Sequence, residues 1–214
     1  MGTVPILRTI EDDLMREKSL LNDHILVQDI PGVHIAEVAL KPNYGPYYGV
    51  EGINSLFNPR VDNKFQISMS HIWVQNGPKE STNKISLGWH DAVTKNWWIS
   101  IANTFIGYLP AKLFSNMSSA NEVGWGGRTR THPGTQSPQM GSGHFARDNN
   151  ATHACFYKEV SIQDNERKTH GAKVYETHSF SDNPNCYDVR YYGDQDPYYG
   201  YILLFGGPGG NCGN

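Results

Sequence analysis

Charge is scarce in this 214-residue chain: Asp, Glu, Lys and Arg make up 18% of it, and the formal net charge is −3. Lys and Arg are scattered, without a run that would track phosphates, so neither nucleic acid nor an anionic membrane is an expected partner. Long apolar stretches are missing too. None approaches the roughly 20 residues of a membrane-spanning helix. Met1-Gly2-Thr3-Val4-Pro5 has neither the charged start nor the apolar core of a signal peptide. Cysteine is limited to Cys155, Cys186 and Cys212, at separations that match no zinc knuckle or CxxC pair. The motifs HExxH, Gly-x-Ser-x-Gly and Gly-Lys-Thr are absent, and the nine histidines stand singly. Gly124–Thr129 lacks the last glycine of a dinucleotide loop, and Gly206–Gly210 carries Pro208 with no following lysine. No metal and no cofactor is therefore expected.

What is plentiful is glycine (22), proline (12) and aromatic residues (12%). That mixture favours many short strands and turns over long helices. The length suits a single domain over residues 1–214. One short N-terminal helix is predicted. Thr9 caps it, Asp12 completes a capping box, and Ile10, Leu14 and Leu21 recur near helical spacing. After Pro31 the period becomes two. Val33–Leu40 reads as a strand apolar on both faces, the mark of a layer between two others. In Phe65–Gln75 the residues Phe65, Ile67, Met69, His71 and Trp73 share one face. Further strands are predicted over Lys84–Trp89, Trp97–Ala102, Phe105–Leu109, Ala154–Gln163, Cys186–Tyr192 and Tyr198–Phe205. No βαβ rhythm appears, so the fold class is all-β, an antiparallel sandwich or barrel. Arg128–Asn150 reads as a long loop. Glu51, Glu80, Glu122 and Asp188 lie near patterned strands, but no spacing pairs two of them for acid–base work. Asn116-Met117-Ser118 and Asn150-Ala151-Thr152 are glycosylation candidates in a secreted chain.

Several stretches together resemble the catalytic domain of the neprosin family. They include Lys84-Ile85-Ser86-Leu87-Gly88-Trp89, Asn96-Trp97-Trp98, Ile106–Ala111, Val123-Gly124-Trp125-Gly126-Gly127, Gln139–Phe145, Asn185-Cys186-Tyr187 and Phe205–Gly209. The resemblance implies a β-sandwich of two antiparallel sheets related to the glutamic-peptidase fold. In active members it implies two glutamates in a groove that cleave peptides after proline at acidic pH, in an extracellular or vacuolar setting. The first family glutamate precedes an Ala-Gly-Trp step, where this chain has Ser86 before Leu87-Gly88-Trp89. The second follows Trp-Gly-Gly, where this chain has Arg128. A serine without an adjacent base cannot shuttle protons as a carboxyl does. Arginine stays cationic and does neither half of the exchange.

The expectation is thus a degenerate domain that binds peptide or a cell-wall ligand through the old groove. Trp89, Tyr108, Trp125 and Gly127 are the groove candidates, with core packing as the plainer role for the tryptophans. Two other readings stand beside it: an acidic prolyl endopeptidase using another acid pair, and a truncated product without a function of its own. Relatives carry a longer, multi-strand segment where this chain has only His90-Asp91-Ala92-Val93-Thr94-Lys95. Cys186 and Cys212, both in matched motifs, are expected to form a disulfide and leave Cys155 as a buried thiol. Loss of strands predicts uncovered edges and self-association.

Overall fold

The computed structural model describes residues 31–62, 65–77, 83–86 and 88–213. The predicted helix around Thr9 and Leu21 lies outside the described residues. In chain order the strands are β1 (Val33–Leu40), β2 (Gly49–Asn54), β3 (Ile67–Asn76), β4 (Asn83–Ser86), β5 (Gly88–His90), β6 (Trp97–Ile101) and β7 (Thr104–Leu109). They continue with β8 (Glu122–Arg130), β9 (Cys155–Gln163), β10 (Thr169–Gly171), β11 (Thr177–Ser181), β12 (Asp188–Asp194) and β13 (Tyr201–Gly206). Among the described residues they form two antiparallel sheets, one in the order β11-β1-β8-β3-β4 and one in the order β12-β13-β9-β2-β5-β6-β7, with β10 beside β9. The expected all-β sandwich is what the chain forms. No described helix is long and apolar enough to cross a membrane.

Period two explains the layering. Ala36, Val38 and Leu40 of β1 point inward with Ile72, Val74, Val123 and Trp125, and they meet Tyr157, Ile162, Leu203 and Phe205 of the other sheet. All eight residues of β1 are buried, so its outward set, which includes Val33 and Ile35, is covered as well. The described residues form two layers, so a third layer over β1 is not among them. Trp125 ties the sheets directly: its Nε1–H donates to the Glu51 carbonyl at 2.9 Å. The pairing of β2 with β9 slips at that point, between Glu51 and Ile53, opposite Glu159 in the left-handed region (φ 52°). A bulge of this kind takes a residue out of the ladder, and the indole receives the carbonyl.

Two predicted boundaries are corrected. Lys84–Trp89 is not one strand: β4 pairs with β3 in the first sheet, while β5 pairs with β2 and β6 in the second. The chain changes sheets between them. Arg128–Asn150 is not loop throughout, because β8 runs to Arg130. The remainder is fixed over the end of the sandwich by bridges from Ser137 to Gly210 and from Met140 to Gly207. The bond between Cys186 and Cys212 is present, and Cys155 is buried and free.

The short His90–Lys95 connection closes a hairpin. Trp89 pairs with Trp98 and His90 with Trp97. In the loop, the Asp91 carboxylate accepts from the Val93 and Thr94 amides and from the Thr94 hydroxyl. His90 is 1% exposed and sits edge-on to Trp97. Arg167 donates to its carbonyl at 2.6 Å and to its Nδ1 at 3.2 Å, while the guanidinium lies over Tyr48. Burial first, then Arg167 and Lys95, push the His90 pKa below its ordinary 6.5. The folded chain therefore holds His90 neutral while the unfolded chain protonates it near pH 6.5. Stability is complete above that pH and falls as pH drops below it. Melting curves between about pH 7.5 and 5 should show the loss, and His90→Phe should flatten it. An unchanged slope in the variant would assign the acid sensitivity to another group.

Candidate functional site

The site is built from the glycine-rich centre of β8, which lies between β1 and β3. Alternation along β8 turns Trp125 and Gly127 inward and Gly124, Gly126 and Arg128 outward. Gly126 pairs with Glu37 on β1 and with His71 on β3. Because glycine adds no side chain to that row, Glu37 and His71 meet above it, Oε1 to Nε2 at 2.6 Å. A Cβ at position 126 would stand 2.7 Å from the Glu37 Cα and 2.9 Å from its Cγ. The glycine is what admits the pair. Both side chains are buried, His71 at 8% and Glu37 at 6% exposure. A carboxylate and an imidazole at this distance and depth share a proton or a charge in a low dielectric, where their coupling is strong.

Ser86 and Arg128, the two positions that the sequence resemblance singled out, fall around this pair. Arg128, 3% exposed, is paired with Ile35 and Met69. Ser86 is paired with Trp73, and Trp73 with Gly124. The pairing puts positions 86 and 128 on the outward face of one sheet, two strands and four residues apart. The row between them is that of Glu37, Gly126 and His71. Glu122 also lies on this face at the far end of β8, where its Oε2 accepts from the Gln75 amide at 2.5 Å.

The groove candidates are not gathered there. Trp125 is fully buried in the core, and a Cβ on Gly127 would stand 2.5 Å from the Met140 sulfur and 2.7 Å from Phe205. The backbone of Trp89 belongs to the other sheet, against Gly49 and Trp98. Tyr108 is 51% exposed on the edge strand β7, with its ring 4.9 Å from that of Trp98. Of the remaining acids, Asp188 accepts from the Ala146 and Arg147 amides, Glu51 takes part through its backbone carbonyl, and Glu80 lies outside the described residues. Burial is the leading cause that pushes the Cys155 thiol pKa up. Asn116 is exposed, and the Asn150 side chain accepts from the Thr152 amide and hydroxyl. Among the described residues no group of three His, Cys, Asp or Glu side chains converges as metal ligands do.

Glu37 escaped sequence reasoning because it sits in an otherwise apolar run. The legible signal was a lone carboxylate in a strand read as buried on both faces, with His71 on the matching face of Phe65–Gln75. His71→Ala should cost about 3–5 kcal/mol in denaturant unfolding, since it removes the imidazole bonded at 2.6 Å to a buried carboxyl group. Replacing both by leucine should cost less than His71→Ala alone. Equal losses would mean that the pair has no coupling.

The family model for Neprosin matches residues 89–208. The match begins in β5 and covers more than half of the chain, including the Trp-Gly-Gly run of β8 and the Cys186 turn. With that match over more than half of its length, the chain belongs to the neprosin family, a protease-related group.

Proposed function

We propose that this chain is a non-cleaving neprosin-family protein that binds a peptide or cell-wall ligand in an extracellular or vacuolar compartment. The observation that carries the proposal is the identity of two residues: Ser86 and Arg128 stand at the positions that the resemblance matches to the family's two glutamates. Two-carboxyl chemistry needs one group to stay protonated while the other is ionised. Serine and arginine supply neither. The other carboxylates on that face are already engaged, Glu37 by His71 and Glu122 by Gln75, which weighs against a substitute acid pair. The disulfide between Cys186 and Cys212 supports an oxidising compartment.

Purified protein should release no product from proline-containing peptides between about pH 3 and 7, the range in which carboxyl pairs work. Ser86→Glu combined with Arg128→Glu should stay inactive, because on the resemblance the short His90–Lys95 connection replaces strands that would have formed part of the groove. Turnover by the unaltered protein overturns the proposal. Rescue by the double variant would show that the shortened connection spares the active site.

Self-association belongs to the same proposal and has a place to occur. β7 ends its sheet, and Phe105, Ile106 and Tyr108 are 63%, 56% and 51% exposed along it. Apolar edge strands of this kind add further strands readily. Concentrated protein should elute from size exclusion ahead of its 24.0 kDa monomer position, and Ile106→Lys should restore the monomer. A wild-type monomer at all concentrations removes this part of the proposal.

A further inference from the structure

On the outer side of the second sheet, away from Arg128 and the Glu37–His71 pair, lies a cavity of about 510 Å³. That volume lies within the range of small-molecule sites. Its floor is Ile202 and Leu204 of β13, which point away from the core and pack with Ala146 and Ala154 in a second apolar cluster. The wall carries Tyr192 and Tyr199. The turns that frame it are held by internal hydrogen bonds. Asp196 accepts from the Tyr198 and Tyr199 amides, both at 2.8 Å. Asn150 accepts from the Thr152 amide and hydroxyl at 2.9 and 2.7 Å. The Tyr192 hydroxyl donates to the Asn149 side-chain Oδ1 at 2.5 Å, and the Gln195 side chain donates to the Tyr192 backbone carbonyl at 2.9 Å.

Those bonds leave a specific set of polar atoms without a protein partner on lining residues. The Nδ2 groups of Asn149 and Asn150 are donors, the Gln195 Oε1 is an acceptor, and the Tyr199 hydroxyl is both. All are neutral. No Lys or Arg lines the cavity, and its one carboxylate, Asp196, gives a single oxygen, Oδ1, to both turn amides and leaves Oδ2 as a further acceptor. An anion would find no counter-charge here. An apolar floor, tyrosine rings and neutral amides on a pre-set frame match a ring that has C–H faces and hydroxyl edges.

We propose that this cavity is a binding site for a neutral sugar ring. It lies on the opposite sheet from the family's groove and does not depend on whether peptides are cleaved. The sugar has two possible sources. One is a free saccharide. The other is the first residue of a glycan attached to Asn150, whose amide stands at the cavity wall in a sequon already folded into its turn.

Full-length protein made in bacteria, and so unglycosylated, would be titrated by NMR with cellobiose, xylobiose and chitobiose. At least one should bind saturably at millimolar concentration. Tyr199→Ala should weaken it by about tenfold. Gln195→Ala, on an exposed side chain outside the apolar clusters, should weaken it severalfold while the amide spectrum outside the turn stays that of the folded protein. No saturable binding of any of the three, or binding that both variants leave intact, overturns the proposal. A preparation secreted from eukaryotic cells and glycosylated at Asn150 then separates the sources. Loss of free-disaccharide binding there, with contacts from the first attached sugar to Tyr199, identifies the tethered sugar as occupant. Retained binding identifies a free one. Either result supports a sugar site.

Discussion

The single hydrogen bond from the Trp125 indole to the Glu51 carbonyl organises the rest of the molecule. It runs from the central strand of one sheet into the bulge of the other, so it fixes both the spacing of the layers and the register of β8. Register matters because a slip of one residue reverses every side chain on a strand. With Trp125 inward, Gly124, Gly126 and Arg128 must face out. From that follow the Trp73 ring over Gly124, the Glu37–His71 pair over Gly126, and the common face of positions 86 and 128.

Sequence reasoning found the strands whose side chains alternate and missed those built on glycine. Val33–Leu40 was legible to the residue, and Ala154–Gln163 nearly so. β8 and β2 carry Gly124, Gly126, Gly127, Gly49 and Gly52, which argue against a strand on propensity alone. They are strands because neighbouring side chains fill the space a Cβ would take: Met140 and Phe205 at Gly127, Trp125 and Val160 at Gly52. Propensity cannot see such neighbours. Nor could periodicity tell that Lys84–Trp89 is divided between two sheets, since both halves alternate alike. At the site, the inherited positions were legible through the motif around them. The Glu37–His71 pair was not, because it joins residues 34 apart in sequence across a third strand.

The motif that identifies the family is mainly a packing motif. Trp125, Gly126 and Gly127 have structural duties that hold whatever residue occupies position 128. These duties do not depend on the side chain at position 128, which faces the other side of the sheet from Trp125 and Gly127. Fold and family membership speak to the scaffold, and the site must be judged on its own side chains.

An odd number of cysteines is a hazard during oxidative folding, because three thiols allow three different bonds. The place of Cys155 removes two of them. It is 1% exposed at the start of β9, opposite Phe205 of β13, and its sulfur contacts the Ser55 hydroxyl and carbonyl. Burial keeps it protonated, and a protonated thiol is a poor partner in exchange. Once β9 and β13 have paired, only Cys186 and Cys212 remain to be oxidised. The order of events thus sets the fidelity of pairing: the sheet must close before the oxidant arrives.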